Sequence, residues 1–144
     1  MSVGSALVSG DDAVPGLAVK ALALALEKAG QSYANSVLMF LTAEFSRQAQ
    51  QTVTAVARAA RCTQVVGGVA AGVVTDSGWV LDRPAVALMV FADDLSLAGL
   101  DAGRTIAAPI LSYAGGSLPP GWAEGGRRFG GSFTGPPGSV EPVA

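Results

Sequence analysis

Residues 65 to 74 read VVGGVAAGVV, with three glycines and no polar side chain, between Thr63-Gln64 and Thr75-Asp76. Such a stretch can be a phosphate-cradling loop, a strand crossing a sheet, or the wall of a ligand pocket. A dinucleotide fingerprint needs G-x-G-x-x-G after a first strand and at the head of a helix. Gly67-Gly68-Val69-Ala70-Ala71-Gly72 has a different spacing, and Asp76-Ser77-Gly78 downstream signals a turn, not a helix. A Walker loop needs Lys-Ser/Thr after its glycines, and none follows here. The strand reading fits better. Gly67-Gly68 reads as a sharp bend or bulge between two strands, and Gly72 as a point where a helix or ligand approaches a strand closely.

Working outward, Ser5 to Ser9 is a short apolar strand ending in the turn Gly10-Asp11-Asp12. Asp12 suits an N-cap, Pro15 a first helical turn, and Gly30 the C-cap of an alanine- and leucine-rich helix running to Ala29. That helix is apolar over most of its surface, so it should be covered on more than one side. Ser36 to Thr42 is a continuous apolar run of the length of a buried strand. From Ala43 to Arg61, Phe45, Ala49, Val53, Val56, Ala57 and Ala60 recur at three- and four-residue spacing. They predict an amphipathic helix with Arg58 and Arg61 complementing its dipole. Trp79-Val80-Leu81 begins a short strand that Asp82-Arg83-Pro84 breaks, and Ala85 to Phe91 is another wholly apolar strand, stopped at Asp93-Asp94.

The fold class is therefore α/β: strand-helix-strand-helix, then two or three consecutive strands in a mixed sheet, since no helix-length segment separates the later strands. Leu95 to Tyr113 predicts a short helical or extended piece broken at Pro109. Residues 1–113 form the domain. Residues 114–144, rich in glycine and proline, predict a flexible coil tail that Trp122 or Phe129 touches to the domain.

Composition narrows the chemistry. The 144 residues carry 9 basic and 11 acidic side chains, a formal charge of −2, and only 14% charged residues against 50% apolar. About a quarter charged is usual, so the surface is either covered by a partner or built largely from bland small residues. Arg127-Arg128 is too short a basic run for nucleic-acid phosphates, and no nucleic-acid partner is expected. The chain has no histidine and a single cysteine, Cys62. This excludes a Ser-His-Asp or Cys-His site, an internal disulfide and a thiolate zinc site within these residues. No metal or cofactor is expected. Leu17 to Leu26, interrupted by Lys20, falls short of the about 20 apolar residues of a membrane span. The first residues lack a basic leader, so the expected setting is the cytoplasm.

The order of an apolar strand, an amphipathic helix, Val66-Gly67-Gly68-Val69-Ala70-Ala71-Gly72-Val73, a turn and a second apolar strand resembles the N-terminal part of the FIST domain, over roughly Ser5 to Leu100. Strands such as Val37-Leu38-Met39-Phe40 and Ala85 to Phe91 carry the same resemblance. It implies a non-catalytic intracellular sensory domain for signal transduction, binding a small molecule such as an amino acid or related metabolite. FIST domains commonly have a companion C-terminal half, absent here, and the turn Ser77 to Leu81 lacks the glutamate often seen after the glycine signature. The chain is expected to be a truncated copy whose apolar surface meets the missing half.

Three functions remain in play. A ligand cleft at the ends of the central strands would use Thr42, Glu44 and Ser46 with backbone groups of Gly67 and Gly68. The same residues could simply cap the second helix and complement its dipole. A structural or interaction domain would form a homodimer, or dock on a signalling partner, through its apolar helix or a sheet edge. An acid-pair enzyme would have only Asp11-Asp12 and Asp93-Asp94 to use, and neighbouring side chains at strand ends diverge.

Overall fold

The computed structural model describes residues 2–97, 110–115 and 128–133. Strand β1 (Ser2–Ser9) leads to helix α1 (Pro15–Ala29), strand β2 (Ser36–Thr42), a 3-10 turn (Ala43–Phe45), helix α2 (Ala49–Ala60) and strand β3 (Val65–Ala70). A hairpin of β4 (Gly72–Thr75) and β5 (Gly78–Leu81) follows, then β6 (Ala85–Ala92). Strands β7 (Ile110–Gly115) and β8 (Arg128–Phe133) form a separate parallel pair. This is the α/β architecture with a mixed sheet that the hydrophobic pattern implies.

The principal sheet has the order β1-β6-β2-β3. Strand β6 is antiparallel to both β1 and β2, and β3 is parallel to β2. The last long strand of the region thus slides between the first two. Its residues Ala85, Val86, Ala87, Leu88, Val90 and Ala92 are buried, which a strand covered on both faces requires. One cover is helical: α1 lies on β1 and β6 and packs against α2. Val86, Leu88 and Val90 meet Leu22, Leu26, Phe45 and Val56 in this core. The other cover is the hairpin, whose Val73 packs with Ala85 and Ala87, flanked by Leu7, Phe40 and Val80. Beyond the hairpin, the register puts Leu38, Val66 and Met89 in one row of the same face, and Val66 is exposed.

Helix α1 needs two close neighbours and obtains them through small residues. Ala18, Ala21 and Ala25 are fully buried beside Leu22. A β-carbon at Gly4 would stand 2.0 Å from the Ala25 carbonyl oxygen, so the missing side chain sets how near α1 approaches β1. The exposed stripe of α1 is Lys20, Ala23, Leu24, Glu27 and Lys28. The apolar helix is thus covered by the sheet and by α2 and presents mainly charge outward.

Several local expectations shift. The residue preceding α1 is Val14, and Asp12 makes no side-chain cap. Instead the Asp12 carbonyl accepts the Val14 N–H, and the Val14 carbonyl accepts the Leu17 N–H, so a backbone turn delivers Pro15 to the first helical position. Gly30 closes the helix in a left-handed conformation with φ of 67°, as the sequence implies. The second helix begins at Ala49, not Ala43. The Ser46 hydroxyl donates to the Ala43 carbonyl at 2.6 Å, and this local bond holds a 3-10 turn that swings Phe45 into the core, where it is fully buried. The piece expected around Pro109 lies outside the described residues up to Ile110, where β7 begins. Strand β7 runs across the boundary set at residue 113, and β8 is a described strand within the span expected to be coil. Trp122 lies outside the described residues.

The glycine stretch is itself corrected. Strand β3 continues through Gly67-Gly68 without a break, and the chain leaves the sheet at Ala71. Gly67 has φ of 156°, and a β-carbon there would fall 1.6 Å from the Met39 carbonyl oxygen. Its role is to let β2 and β3 approach, not to bend the strand. Gly72 is a point of close approach as expected, but the neighbour is its own hairpin partner, Leu81. We predict that Gly67→Ala lowers unfolding free energy by about 3 kcal/mol in urea denaturation, the magnitude of a steric clash inside a packed layer. Gly16→Ala, at a helical position with open space around it, is expected to raise stability by up to about 1 kcal/mol.

Candidate functional site

The carboxyl ends of β1, β2 and β3 and the start of β6 share one end of the sheet. A doubly wound sheet opens a crevice there because its helices lie on opposite faces at a reversal of strand order. Here the order steps from β1 past β6 to β2 and on to β3 in one direction, and α1 and α2 share one face. No such switch point exists among the described residues.

The sequence-derived residues separate into two groups. Gly67 and Gly68 line a cavity of about 140 Å³ between β2, β3 and α2, walled by Met39, Leu41, Ala49, Val53, Val65 and Val69. Thr42, Glu44 and Ser46 are not part of its wall. Thr42 is fully buried, and its hydroxyl oxygen accepts the Ala85 N–H at 2.9 Å. The bond ties the end of β2 to the start of β6. Glu44 and Ser46 are exposed in the 3-10 turn, and the Ser46 hydroxyl is committed to Ala43. Neither Thr42 nor Ser46 caps α2, since the residue preceding that helix is Gln48 and no side chain caps it.

The cavity is apolar by construction. Met39, Leu41, Val65 and Val69 come from the helix-facing positions of β2 and β3, and Val53 from the core face of α2. The same inward alternation that builds the core builds the wall. On the first turn of α2, the short side chain of Ala49 leaves the space unfilled. Among the described residues no charged side chain lines it.

The acid pairs do not converge. Antiparallel pairing of β1 with β6 aligns Ser2 with Ala92 and Ser9 with Ala85, so Asp93-Asp94 and Asp11-Asp12 lie at opposite ends of eight-residue strands. That is a separation of about 23 Å. Asp93, with φ of 58°, joins termini: its carboxylate accepts from Ser2 Oγ and from Gln31 Nε2, and its carbonyl accepts from Asn35 Nδ2. The Asp76 carboxyl is held below its ordinary range, chiefly by the Ser5 hydroxyl that donates to it at 2.6 Å. Burial pushes the Cys62 thiol up, away from the reactive thiolate. Among the described residues no group of three potential ligands is placed to hold a metal, and no helix is long and apolar enough to cross a membrane.

No protein-family model matches the chain, and no curated protein matches it significantly.

Replacing Thr42 separates its structural duty from any binding role. Thr42→Val removes the acceptor and leaves the buried Ala85 N–H unpaired, so unfolding free energy should fall by about 1–3 kcal/mol in denaturant titration. Thr42→Ser, which keeps the oxygen, should recover most of that loss.

Proposed function

We propose that this chain is a non-catalytic sensory domain of FIST type that takes a small molecule, such as an amino acid or related metabolite, into the cavity beside Gly67 and Gly68. The cavity is the observation that carries the reading. An apolar cavity of about 150 Å³ stays dry and accepts a benzene-sized molecule. With walls of Met39, Leu41, Val53, Val65 and Val69, the preferred guest group is aliphatic, the side chain of leucine or valine or a short acyl group. The resemblance of Val66 to Val73 to the FIST glycine signature supports the same reading from sequence pattern. A reducing cytoplasmic setting suits the free thiol of Cys62.

Thermal-shift measurement against aliphatic amino acids and short-chain metabolites is the test. A ligand at one hundred times its Kd stabilises the native state by about 2.7 kcal/mol. Ala49→Leu fills the cavity from α2 with a good helix former. It should leave the domain folded and abolish the ligand-induced shift. A wild-type domain that no such compound stabilises, or an Ala49→Leu variant that still responds, contradicts the reading.

The second reading, an interaction domain, is favoured by one specific surface. The hairpin's outward face pairs Val74, 72% exposed, directly with Trp79, 70% exposed, beside exposed Leu81. It displaces α1, with its charged outer stripe, as the docking element. If the hairpin carries association, sedimentation velocity should show concentration-dependent growth that Trp79→Ser abolishes. A monomer at every concentration counts against it.

A further inference from the structure

A second, larger cleft lies at the far end of α2 from the glycine cavity. It has a volume of about 740 Å³ and is open to solvent, within the range of about 300–1,000 Å³ typical of small-molecule sites. Helix α2 contributes Thr54, Ala57 and Arg58, the residue that closes it contributes Arg61, and the segment leading into β2 contributes Tyr33 and Asn35. Thr54, Ala57 and Arg58 are spaced i, i+3 and i+4 and form one stripe along the helix, and Arg61, just past its end, lines the same cleft. Among the described residues no aspartate or glutamate lines it. In a chain whose net charge is −2, a cleft lined by two guanidinium groups and no described acid stands apart.

The ordinary duty of arginines at a helix C-terminus is to satisfy the last carbonyls. Here backbone does that duty for three of the last four carbonyls. The Ala57 carbonyl accepts the Cys62 N–H, the Arg58 carbonyl accepts the Arg61 N–H, and the Ala60 carbonyl accepts the Ala34 N–H. Among the described residues, neither guanidinium makes a hydrogen bond or ion pair. The facing wall is fixed: Asn35 Nδ2 donates to the carbonyls of Asp93 and Leu95, and Ala34 is buried. The two arginines therefore line a cleft whose floor is pinned by these bonds, and no described residue takes up their donors.

Arg61 carries a further signal. It closes α2 in the left-handed conformation, with φ of 57°. Helix α1 ends in the same conformation, but with Gly30, the residue that adopts it without a β-carbon penalty. At Arg61 the chain keeps a long cationic side chain at a backbone position where glycine would be more stable.

We propose that this cleft is a binding site for a small organic oxyanion, with the carboxylate or phosphate group of the ligand held by Arg58 and Arg61. The planar donor forks of two arginines match either group in bidentate fashion, and the hydroxyls of Tyr33 and Thr63 stand at the same cleft for the remainder of the ligand. The site does not depend on the glycine cavity, and either can fail without the other.

NMR titration of the full chain with inorganic phosphate and, separately, with acetate tests the proposal and distinguishes the two chemistries. At least one of the two should produce saturable shifts confined to the amides of residues 33–35 and 57–63. Arg61→Gly is the decisive variant, because glycine relieves the left-handed backbone. The fold should be retained with equal or higher Tm while affinity falls about tenfold, the loss of one charge-assisted bidentate contact. Arg58→Gln should weaken binding similarly, and Arg83→Gln, outside the cleft, should not. Absence of saturable shifts with both anions overturns the proposal, as does unchanged affinity in Arg61→Gly.

Discussion

The fold depends on covering β6 twice. This strand lies between β1 and β2, pairs with both, and buries residues of each face. A strand so placed cannot stand in a two-layer arrangement of helices and bare sheet, because its second face would meet water. The chain supplies one cover before β6 is made, as α1 and α2. It supplies the other immediately before, as the β4–β5 hairpin. The departure from the sheet at Ala71 follows from this requirement. Had β3 continued, Val73 would have remained in the sheet, and Ala85 and Ala87 would lack their partner.

Small residues set the spacing of both layers. Ala18, Ala21 and Ala25 with Gly4 bring α1 down onto β1, and Ala85 and Ala87 let the hairpin lie close on the opposite face. This accounts for a high apolar content with few large side chains. Close approach, not bulk, fills the interior. The same economy leaves the cavity beside Gly67, where Ala49 on the first turn of α2 provides no side chain long enough to close the space.

Much of this could be read in the sequence. The continuous apolar runs at Ser36–Thr42 and Ala85–Phe91 marked buried strands, and the three-four spacing of Val53, Val56 and Ala60 marked the core face of α2. Both follow from local periodicity. What periodicity does not encode is order across the sheet, so the insertion of β6 between β1 and β2 was not legible. Nor was the role of Gly67, which arises from the carbonyl of Met39 on another strand. Of the five site residues read from the sequence, Gly67 and Gly68 reach a cavity. Thr42, Glu44 and Ser46 matched a strand-end pattern, but a buried threonine serving Ala85 looks the same in sequence as a ligand-binding one. Arg58 and Arg61 were read as dipole partners. That no described residue pairs with them appears only once the neighbouring backbone N–H groups are seen to occupy the carbonyls of Ala57, Arg58 and Ala60.

Native-state hydrogen exchange measures the central claim most directly. If β6 is held by two covers and two neighbouring strands, its amides from Val86 to Val90 should exchange only through global unfolding, with the free energy found by denaturant titration. Exchange of those amides through local opening, at a free energy well below the global value, would contradict the account.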